Sequence, residues 1–332
     1  MGGWRTVGDV LAAIPGLRFD LPQHLVATTH AAWLEGRFAQ FRAYRANALP
    51  PPEHARQILA ALGDSLADAV PAYRDLARVT RWCEIPFVDR EALRAHPEAF
   101  VRSDANPTEL WTLETSGTTG APTAILYAAP FYFEYLHLTT RKAIYPVDPG
   151  VPTRHSISCL AIDNRRHMEE FVAADPCGTV GPTVRLLIDD ADRSTIDRLF
   201  RLIALLRPAV ITSRPSLFEV LLAYAATVPA AVPVAPVRVL SAGSFLSEII
   251  RRETEALFGA TVVACYGLTE TGLVAAECAE QAGYHVDETS VLVEIVDRDG
   301  RPVVDGREGE IVVSSLANPA MPFLRYRTGD IG

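Results

Sequence analysis

Thr115-Ser116-Gly117-Thr118-Thr119-Gly120-Ala121-Pro122-Thr123 lies between two short apolar runs, Leu110 to Leu113 and Ala124 to Tyr127, and reads as a loop joining two strands. Glycines let backbone N–H groups approach an anion closely, and the interleaved hydroxyls add donors that carry no charge. A loop of this composition can wrap a triphosphate. It is not a Walker loop, which would place a lysine after the second glycine where Ala121 and Pro122 stand, and the dinucleotide spacing GxGxxG is absent. Taken alone, an ordinary Gly/Thr hairpin tip reads equally well.

Two further stretches narrow the reading. Tyr266-Gly267-Leu268-Thr269-Glu270 follows the apolar run Val262 to Cys265, where a buried strand would end, and Arg325-Tyr326-Arg327-Thr328-Gly329-Asp330 nearly closes the chain. With these three motifs in this order, the chain resembles the adenylate-forming superfamily of acyl-CoA ligases, luciferases and peptide-synthetase adenylation domains. Thr123, where many members carry a lysine, is similar to the phenylacetate:CoA ligase branch. So are the segment Ile85 to Arg94, the stretch Arg301 to Glu310 and the approach Met321-Pro322-Phe323-Leu324. The resemblance covers residues 80 to 332, and residues 150 to 182 fit it poorly.

The bulk properties agree with an enzyme-sized unit. The chain has 332 residues, 49% of them hydrophobic, enough for one large domain or two fused subdomains. A formal charge of -9 argues against a general nucleic-acid or anionic-membrane surface. The five cysteines, Cys83, Cys159, Cys177, Cys265 and Cys278, form no CxxC pair and fit a reducing, cytoplasmic compartment. No apolar stretch approaches the ~18 residues a spanning helix needs, so no membrane partner is expected.

The rhythm of the chain predicts its architecture. Residues 1–80 read as a helical N-terminal region, with a helical run from Ala55 to Val79. From Val184 the pattern alternates: strand to Ile188, a helical face of Ile196, Leu199, Phe200, Ile203 and Leu206 stopped by Pro208, then the run Ala209 to Ile211. A helix around Leu217 and Leu221, a strand to Leu240, a helix around Leu246, Ile249, Ile250 and Leu257, and the strand Thr261 to Ala264 complete the cycle. Alternation of this kind predicts an α/β fold with a mostly parallel sheet flanked by helices, binding ligands at the strands' carboxyl ends. Short β segments after residue 272, beginning with Leu273 to Glu277, predict a small barrel-like subdomain. The expected divisions are 1–80, an α/β nucleotide-binding core over 81–272 and a β subdomain over 273–332, together the large N-terminal domain of adenylate-forming enzymes.

The resemblance implies a chemistry and the residues for it. It implies ATP-dependent activation of a carboxylic acid, aromatic by analogy with the branch, to an acyl-adenylate, then transfer to the thiol of CoA or a carrier protein. Thr115, Ser116, Gly117, Thr118, Thr119 and Gly120 would cradle phosphate; Thr269 would bond a phosphate oxygen; and Glu270 would ligate Mg²⁺, which prefers one or two carboxylates plus phosphate oxygens. Tyr266 with Gly267 would line the adenine, Asp330 would accept ribose hydroxyls, and Ser241-Ala242-Gly243-Ser244 stands where relatives carry an acid in place of Ser244. Arg325 and Arg327 serve phosphate or merely solvate a strand edge.

Around this set, His155, Asn164, His167 and Glu170 read as solvated helix residues, and Phe131, Tyr132, Phe133, Tyr135 and His137 as mostly core. Some relatives carry a zinc near the positions of Cys278 and His285, but Ser314 and Ser315 offer no thiolates, so none is expected. Family members continue into a small C-terminal domain of about 100 residues. No such domain follows Gly332, so the chain is expected to be cut from a longer protein. The expected partners are a small acid and a thiol acceptor, with a homodimer left open; the rival reading is a nucleotide- or acyl-binding module without catalysis.

Overall fold

The apolar residues between Thr183 and Leu268 settle into strands and helices by turns. The structure, a computed structural model, describes residues 18–19, 28–46, 53–115, 123–145, 159–164, 171–173, 183–188, 192–228, 236 and 238–332. Its strands are β1 (Arg18–Phe19), β2 (Leu110–Glu114), β3 (Ala124–Ala128), β4 (Cys159–Asn164), β5 (Phe171–Ala173), β6 (Thr183–Ile188) and β7 (Val210–Ser213). There follow β8 (Arg238–Ala242), β9 (Val262–Leu268), β10 (Gly272–Glu277), β11 (Tyr284–Val286), β12 (Leu292–Val296), β13 (Glu310–Ser315) and β14 (Phe323–Ile331). The chain forms two units, one of Met1–Ala39, Phe133–Gly267 and Ala275–His285, the other of Gln40–Tyr132, Leu268–Val274 and Val286–Gly332.

The first unit is built on a nine-stranded sheet in the order β1-β5-β6-β4-β7-β8-β9-β10-β11. β6, β4, β7, β8 and β9 pair in parallel, while β5 meets β6 antiparallel. Buried on both faces, these strands are continuously apolar, as Leu186, Leu187 and Ile188 illustrate. The helix Arg193–Leu206 starts where the Asp192 carboxylate accepts the Ser194 N–H at 2.9 Å, and it ends at Arg207, whose φ of 47° precedes Pro208. Its inner face packs Leu199 and Phe200 with Phe218, Leu221 and Tyr224 of the helix Pro215–Ala225. Truncating a side chain as buried as Leu221 to alanine would cost about 2–5 kcal/mol.

The same unit buries an ionic cluster. Glu134 accepts from Lys142 Nζ at 2.6 Å and from Arg37 Nε at 3.2 Å. Burial alone would raise its pKa, but the two cations overcome that and hold the carboxyl below its ordinary range.

In the second unit β2 and β3 form an antiparallel hairpin with Leu110 opposite Ala128 and Glu114 opposite Ala124. The small subdomain is a three-stranded antiparallel sheet, β12-β13-β14. Tyr73 ties this region together from inside, its hydroxyl donating to the Pro322 carbonyl at 2.9 Å and accepting from the Leu324 N–H at 3.2 Å.

Four local expectations are corrected. The run from Ala55 is not one helix to Val79: helical turns end at Ala69, Val70 is extended, and Pro71–Leu76 winds into 3₁₀ turns, since Pro71 lacks an N–H and restricts the residue before it. Of the residues read around the helix Glu248–Phe258, Leu246 is buried and Ile250 and Leu257 pack against the core as expected, but Ile249 is 63% exposed while Arg251, Thr254 and Phe258 are buried. Asn164 closes strand β4 instead of lying on a helix, because its segment pairs in parallel with a strand on either side. The segment Leu273 to Glu277 joins the nine-stranded sheet as β10, not the small one. Every residue of β10 is buried, which suits a place inside a covered sheet. His155, His167 and Glu170 lie outside the described residues.

Candidate functional site

The loop that opened the sequence reading is closed at its base by hydrogen bonds. Thr115 N–H donates to the Thr123 carbonyl at 3.0 Å, and Thr123 N–H donates to Thr115 Oγ1 at 3.0 Å. The hairpin β2–β3 therefore delivers both ends of the loop to one point, while Ser116, Gly117, Thr118, Thr119 and Gly120 lie outside the described residues. Thr123, in the place of the family's lysine, is buried, and its hydroxyl makes no hydrogen bond among the described residues. Phe131 and Tyr132 are core, as expected: Tyr132 stacks on Trp111 at 4.5 Å, and Phe131 tilts against Tyr127 at 4.8 Å. The side chains of Phe133 and His137 lie outside the described residues.

Between β9 and β10 the chain turns through Thr269, Glu270 and Thr271. The turn is pinned where Tyr127 donates its hydroxyl to the Thr269 carbonyl. Its exit is Gly272, with φ +77° and Phe131 Cζ 3.3 Å from where a Cβ would sit, so both backbone and packing demand glycine. Glu270 is 4% exposed. Among the described residues its carboxylate has one hydrogen-bond donor, the Tyr326 hydroxyl, at 2.7 Å from Oε1.

Tyr326 reaches that position through an irregularity in β14. Val313 pairs with Tyr326 and Ser315 with Phe323, so β14 holds one residue more than β13 over this interval. The extra residue forms a bulge. Arg325 takes a φ of 47°, a left-handed conformation that a side chain other than glycine or asparagine rarely adopts. It is held there by Glu294, at 3.1 Å to each of two guanidinium nitrogens, by the Ile85 carbonyl at 2.9 Å, and by the Phe87 ring 4.0 Å beneath the guanidinium. Arg325 is thus fully engaged in structure, and Arg327 pairs with Glu310.

The segment before Arg90 adds itself alongside β14. Val88 N–H donates to the Arg325 carbonyl at 3.1 Å and Arg327 N–H donates to the Val88 carbonyl at 2.8 Å. Asp89 then caps the helix Arg90–Ala95, accepting the Ala92 N–H at 2.7 Å. This places Arg90, whose guanidinium donates to the Thr328 carbonyl at 3.5 Å, within electrostatic range of Tyr326, Glu270 and Asp330. The Tyr326 hydroxyl holds Arg90's proton more tightly than usual, and the nearby carboxylates add to that. Burial, reinforced by Glu270, pushes the Tyr326 phenol upward, so it stays a donor. Asp330 is exposed on β14, its N–H donating to Thr328 Oγ1 at 3.0 Å.

The first unit carries the remaining candidates. Ser241 and Ala242 end β8, and the Ser241 hydroxyl is buried with no hydrogen bond among the described residues. Gly243 follows with φ +90°, and Ser244 and Phe245 are exposed. Strand β9 does not stop at Cys265 but runs on through Tyr266 and Gly267 to Leu268, since its backbone continues the ladder after burial ends. Glu277 anchors this strand, accepting from Ala264 N–H at 2.8 Å and from the Arg251 guanidinium at 2.7 and 2.9 Å. Burial, with Glu277 nearby, pushes the Cys265 thiol up to about 12.

The second unit therefore brings Glu270, Asp330, Arg90 and Tyr326 into one electrostatic cluster, of which the last two were not read as site residues. Arg90 and Tyr326 stand inside stretches quoted for the resemblance, so the signal was present but carried no assigned role. Among the described residues no three His, Cys, Asp or Glu side chains are grouped to hold a metal by themselves, and no helix is long and apolar enough to cross a membrane. A single carboxylate with a neutral donor does suit Mg²⁺, which takes its other ligands from phosphate and water.

Comparison with known proteins adds the family. The sequence profile of the AMP-binding enzyme family matches residues 110–318. The phenylacetate-coenzyme A ligase of Thermus thermophilus is 39% identical over 89 residues, which is 26% of this chain and 20% of that protein. The Escherichia coli phenylacetate-coenzyme A ligase is 38% identical over a stretch of the same length. The match thus spans about one fifth of the length of these curated relatives. A crystal structure of 2-hydroxyisobutyryl-CoA ligase in an open conformation, in complex with 2-HIB-AMP and CoA, superposes with a TM-score of 0.64 at 16% identity. It covers 85% of this chain and 70% of that one, and at this identity the likeness concerns fold alone.

Proposed function

The chain belongs to the AMP-binding enzyme family of adenylate-forming proteins, and from that premise we propose that it binds ATP and activates a carboxylic acid for transfer to a thiol. The acid's carboxylate oxygen attacks the α-phosphorus, the bond to the bridging oxygen breaks and pyrophosphate leaves. A thiolate of CoA or of a carrier protein then attacks the acyl carbon and AMP departs. Catalysis of such a sequence is mostly positioning and stabilisation of phosphate charge. An aromatic acid is the substrate class we favour, because the matched ligases are named for phenylacetate.

The residues take the following parts. The Thr115–Gly120 loop supplies backbone and hydroxyl donors to the β- and γ-phosphates, its ends fastened at Thr115 and Thr123. Thr269 bonds a phosphate oxygen, Tyr266 and Gly267 line the adenine with the Ser241–Ser244 turn, and Asp330 accepts the ribose hydroxyls. Glu270 would hold Mg²⁺, which when bound neutralises phosphate charge. The observation that carries the reading is the state of Glu270: a carboxylate 4% exposed, hydrogen-bonded by a neutral hydroxyl and within electrostatic range of Arg90.

ATP–pyrophosphate exchange, run on the whole protein with a panel of aryl and alkyl acids, tests this. Exchange dependent on one class of acid supports activation. A specific observation favours a second reading, that of a binding module: Thr123 replaces the family's lysine with a buried hydroxyl, and Ser244 replaces its acid. Tight ATP binding with no exchange for any acid would select that alternative.

A further inference from the structure

We infer that Tyr326, aimed by the Arg325 bulge and backed by Arg90, is a positioning residue that fixes Glu270 for its metal. The inference rests on the metal-binding reading of Glu270 and assigns the device that orients it.

The Glu270 carboxylate is buried and has a single donor among the described residues. A glutamate can rotate about three side-chain bonds, and one hydrogen bond at Oε1 is what selects its orientation here. With Oε1 engaged, Oε2 is the oxygen left to accept a cation. The donor is itself constrained on every side. Tyr326 is fully buried, packs its ring against Phe323 at 5.5 Å, and lies within electrostatic range of Arg90. Arg90, whose guanidinium donates to the Thr328 carbonyl at 3.5 Å, lies within electrostatic range of the phenol, and its positive charge polarises the O–H that Glu270 receives.

The bulge is the part that makes this geometry specific. In a regular strand, neighbouring side chains point to opposite faces. In β14, Phe323, Leu324, Arg325 and Tyr326 are all buried, and the left-handed Arg325 interrupts that alternation just before Tyr326. A non-glycine residue in that region is unfavourable by about 1–2 kcal/mol, yet it persists under four separate contacts to Arg325: Glu294, the Ile85 carbonyl, Phe87 and Ser314, whose Oγ accepts the Arg325 N–H at 2.7 Å. Bulges that re-aim a side chain are concentrated beside functional sites. What this one re-aims is Tyr326. Residues holding a metal's ligand are worth ten- to hundred-fold in metal affinity.

The test is Mn²⁺ binding with ATP, followed by loss of the free-ion electron paramagnetic resonance signal. The variants are Tyr326→Phe, Arg90→Met, Arg90→Lys, Glu270→Gln and Tyr73→Phe. Tyr73 is the control, an equally buried hydroxyl of the same unit whose bonds go to Pro322 and Leu324 and not to Glu270. We expect Tyr326→Phe to weaken Mn²⁺ about ten-fold while leaving metal-free ATP binding unchanged. Arg90→Met should have a smaller effect in the same direction, restored in part by Arg90→Lys, and Tyr73→Phe none. Unchanged Mn²⁺ affinity in Tyr326→Phe, beside a clear loss in Glu270→Gln, would overturn the inference alone. Unchanged affinity in Glu270→Gln would overturn the metal reading with it. Equal losses in Tyr326→Phe and Tyr73→Phe would mark the effect as structural and likewise overturn the inference.

Discussion

Replacing Glu277 by glutamine should destabilise the first unit by about 3 kcal/mol. The carboxylate accepts three hydrogen bonds, two from Arg251 at 2.7 and 2.9 Å and one from Ala264 N–H at 2.8 Å. Glutamine keeps one acceptor oxygen and turns an NH₂ toward groups that are all donors, so at least one donor loses its partner. Arg251 is left as a buried cation, since it is only 8% exposed. Breaking a buried pair from one side costs about 3–5 kcal/mol. Here Arg251 keeps the Val262 carbonyl at 3.0 Å and a longer contact to Glu248 at 3.6 Å, which favours the lower end, about 3 kcal/mol. At roughly 2–4 °C per kcal/mol for a unit of this size, the midpoint should fall by about 6–12 °C in calorimetry. Because Ala264 belongs to β9, the amides of Val263 to Tyr266 should also exchange faster. Glu248→Gln, which alters an exposed partner of the same arginine, should move the midpoint by less than about 2 °C. If Glu277→Gln lowers the midpoint no more than Glu248→Gln does, the pair does not hold β9 in place.

Other consequences follow from particular residues. Glu134 has a folded pKa held below its unfolded value, so between the two the unfolded state binds more protons; its contribution is present above the unfolded value and is lost as pH falls through the folded one. Urea titrations from pH 6 downward should therefore show stability falling more steeply in the parent than in Glu134→Gln, and parallel slopes would contradict this. Gly272→Ala, at φ +77° with Phe131 3.3 Å away, should cost more than about 1 kcal/mol and lower the thermal midpoint, and a neutral effect would show that the turn tolerates another backbone. Alkylation with iodoacetamide at pH 8 should label exposed Cys83 and spare Cys265, whose thiol is buried with its pKa pushed up to about 12; modification of Cys265 at the rate of Cys83 would refute that burial.

Much of the fold was legible because apolar spacing and chain breakers agreed. The helix Arg193–Leu206 stops at Pro208, and the one from Glu248 stops at Gly259 in the left-handed region, as their residue types require. Hydrophobic pattern misled where a charge went inside. Arg251 looks like a solvent residue in the sequence, but it is buried in its pair with Glu277 while Ile249 of the same helix is 63% exposed. No local period reports such a pair, since its members meet only after the strands align.

The site divides in the same way. Glu270 and Asp330 stand in the motifs that carry the family resemblance, which is what marks them as candidates, and the turn geometry around Gly272 follows from a glycine. Arg90 and Tyr326 had no such label. Their roles depend on β14 carrying one extra residue against β13 between Phe323 and Tyr326, and on Val88 pairing with Arg325 and Arg327 across a wide gap in sequence. The left-handed Arg325 could not be anticipated either, because arginine has no preference for that conformation and is held there by contacts from Ile85, Phe87 and Glu294.

The central claim is that the hydroxyl-rich loop, Glu270 and Asp330 grip one nucleotide with its metal. A crystal structure of the protein with ATP and Mg²⁺ tests it most directly. We predict a metal about 2.1 Å from a Glu270 carboxylate oxygen and bridging to phosphate, with the ribose hydroxyls on Asp330 and the phosphates against the backbone of Thr115 to Gly120. A nucleotide bound elsewhere, or a metal that leaves Glu270 hydrogen-bonded to Tyr326 alone, would contradict it.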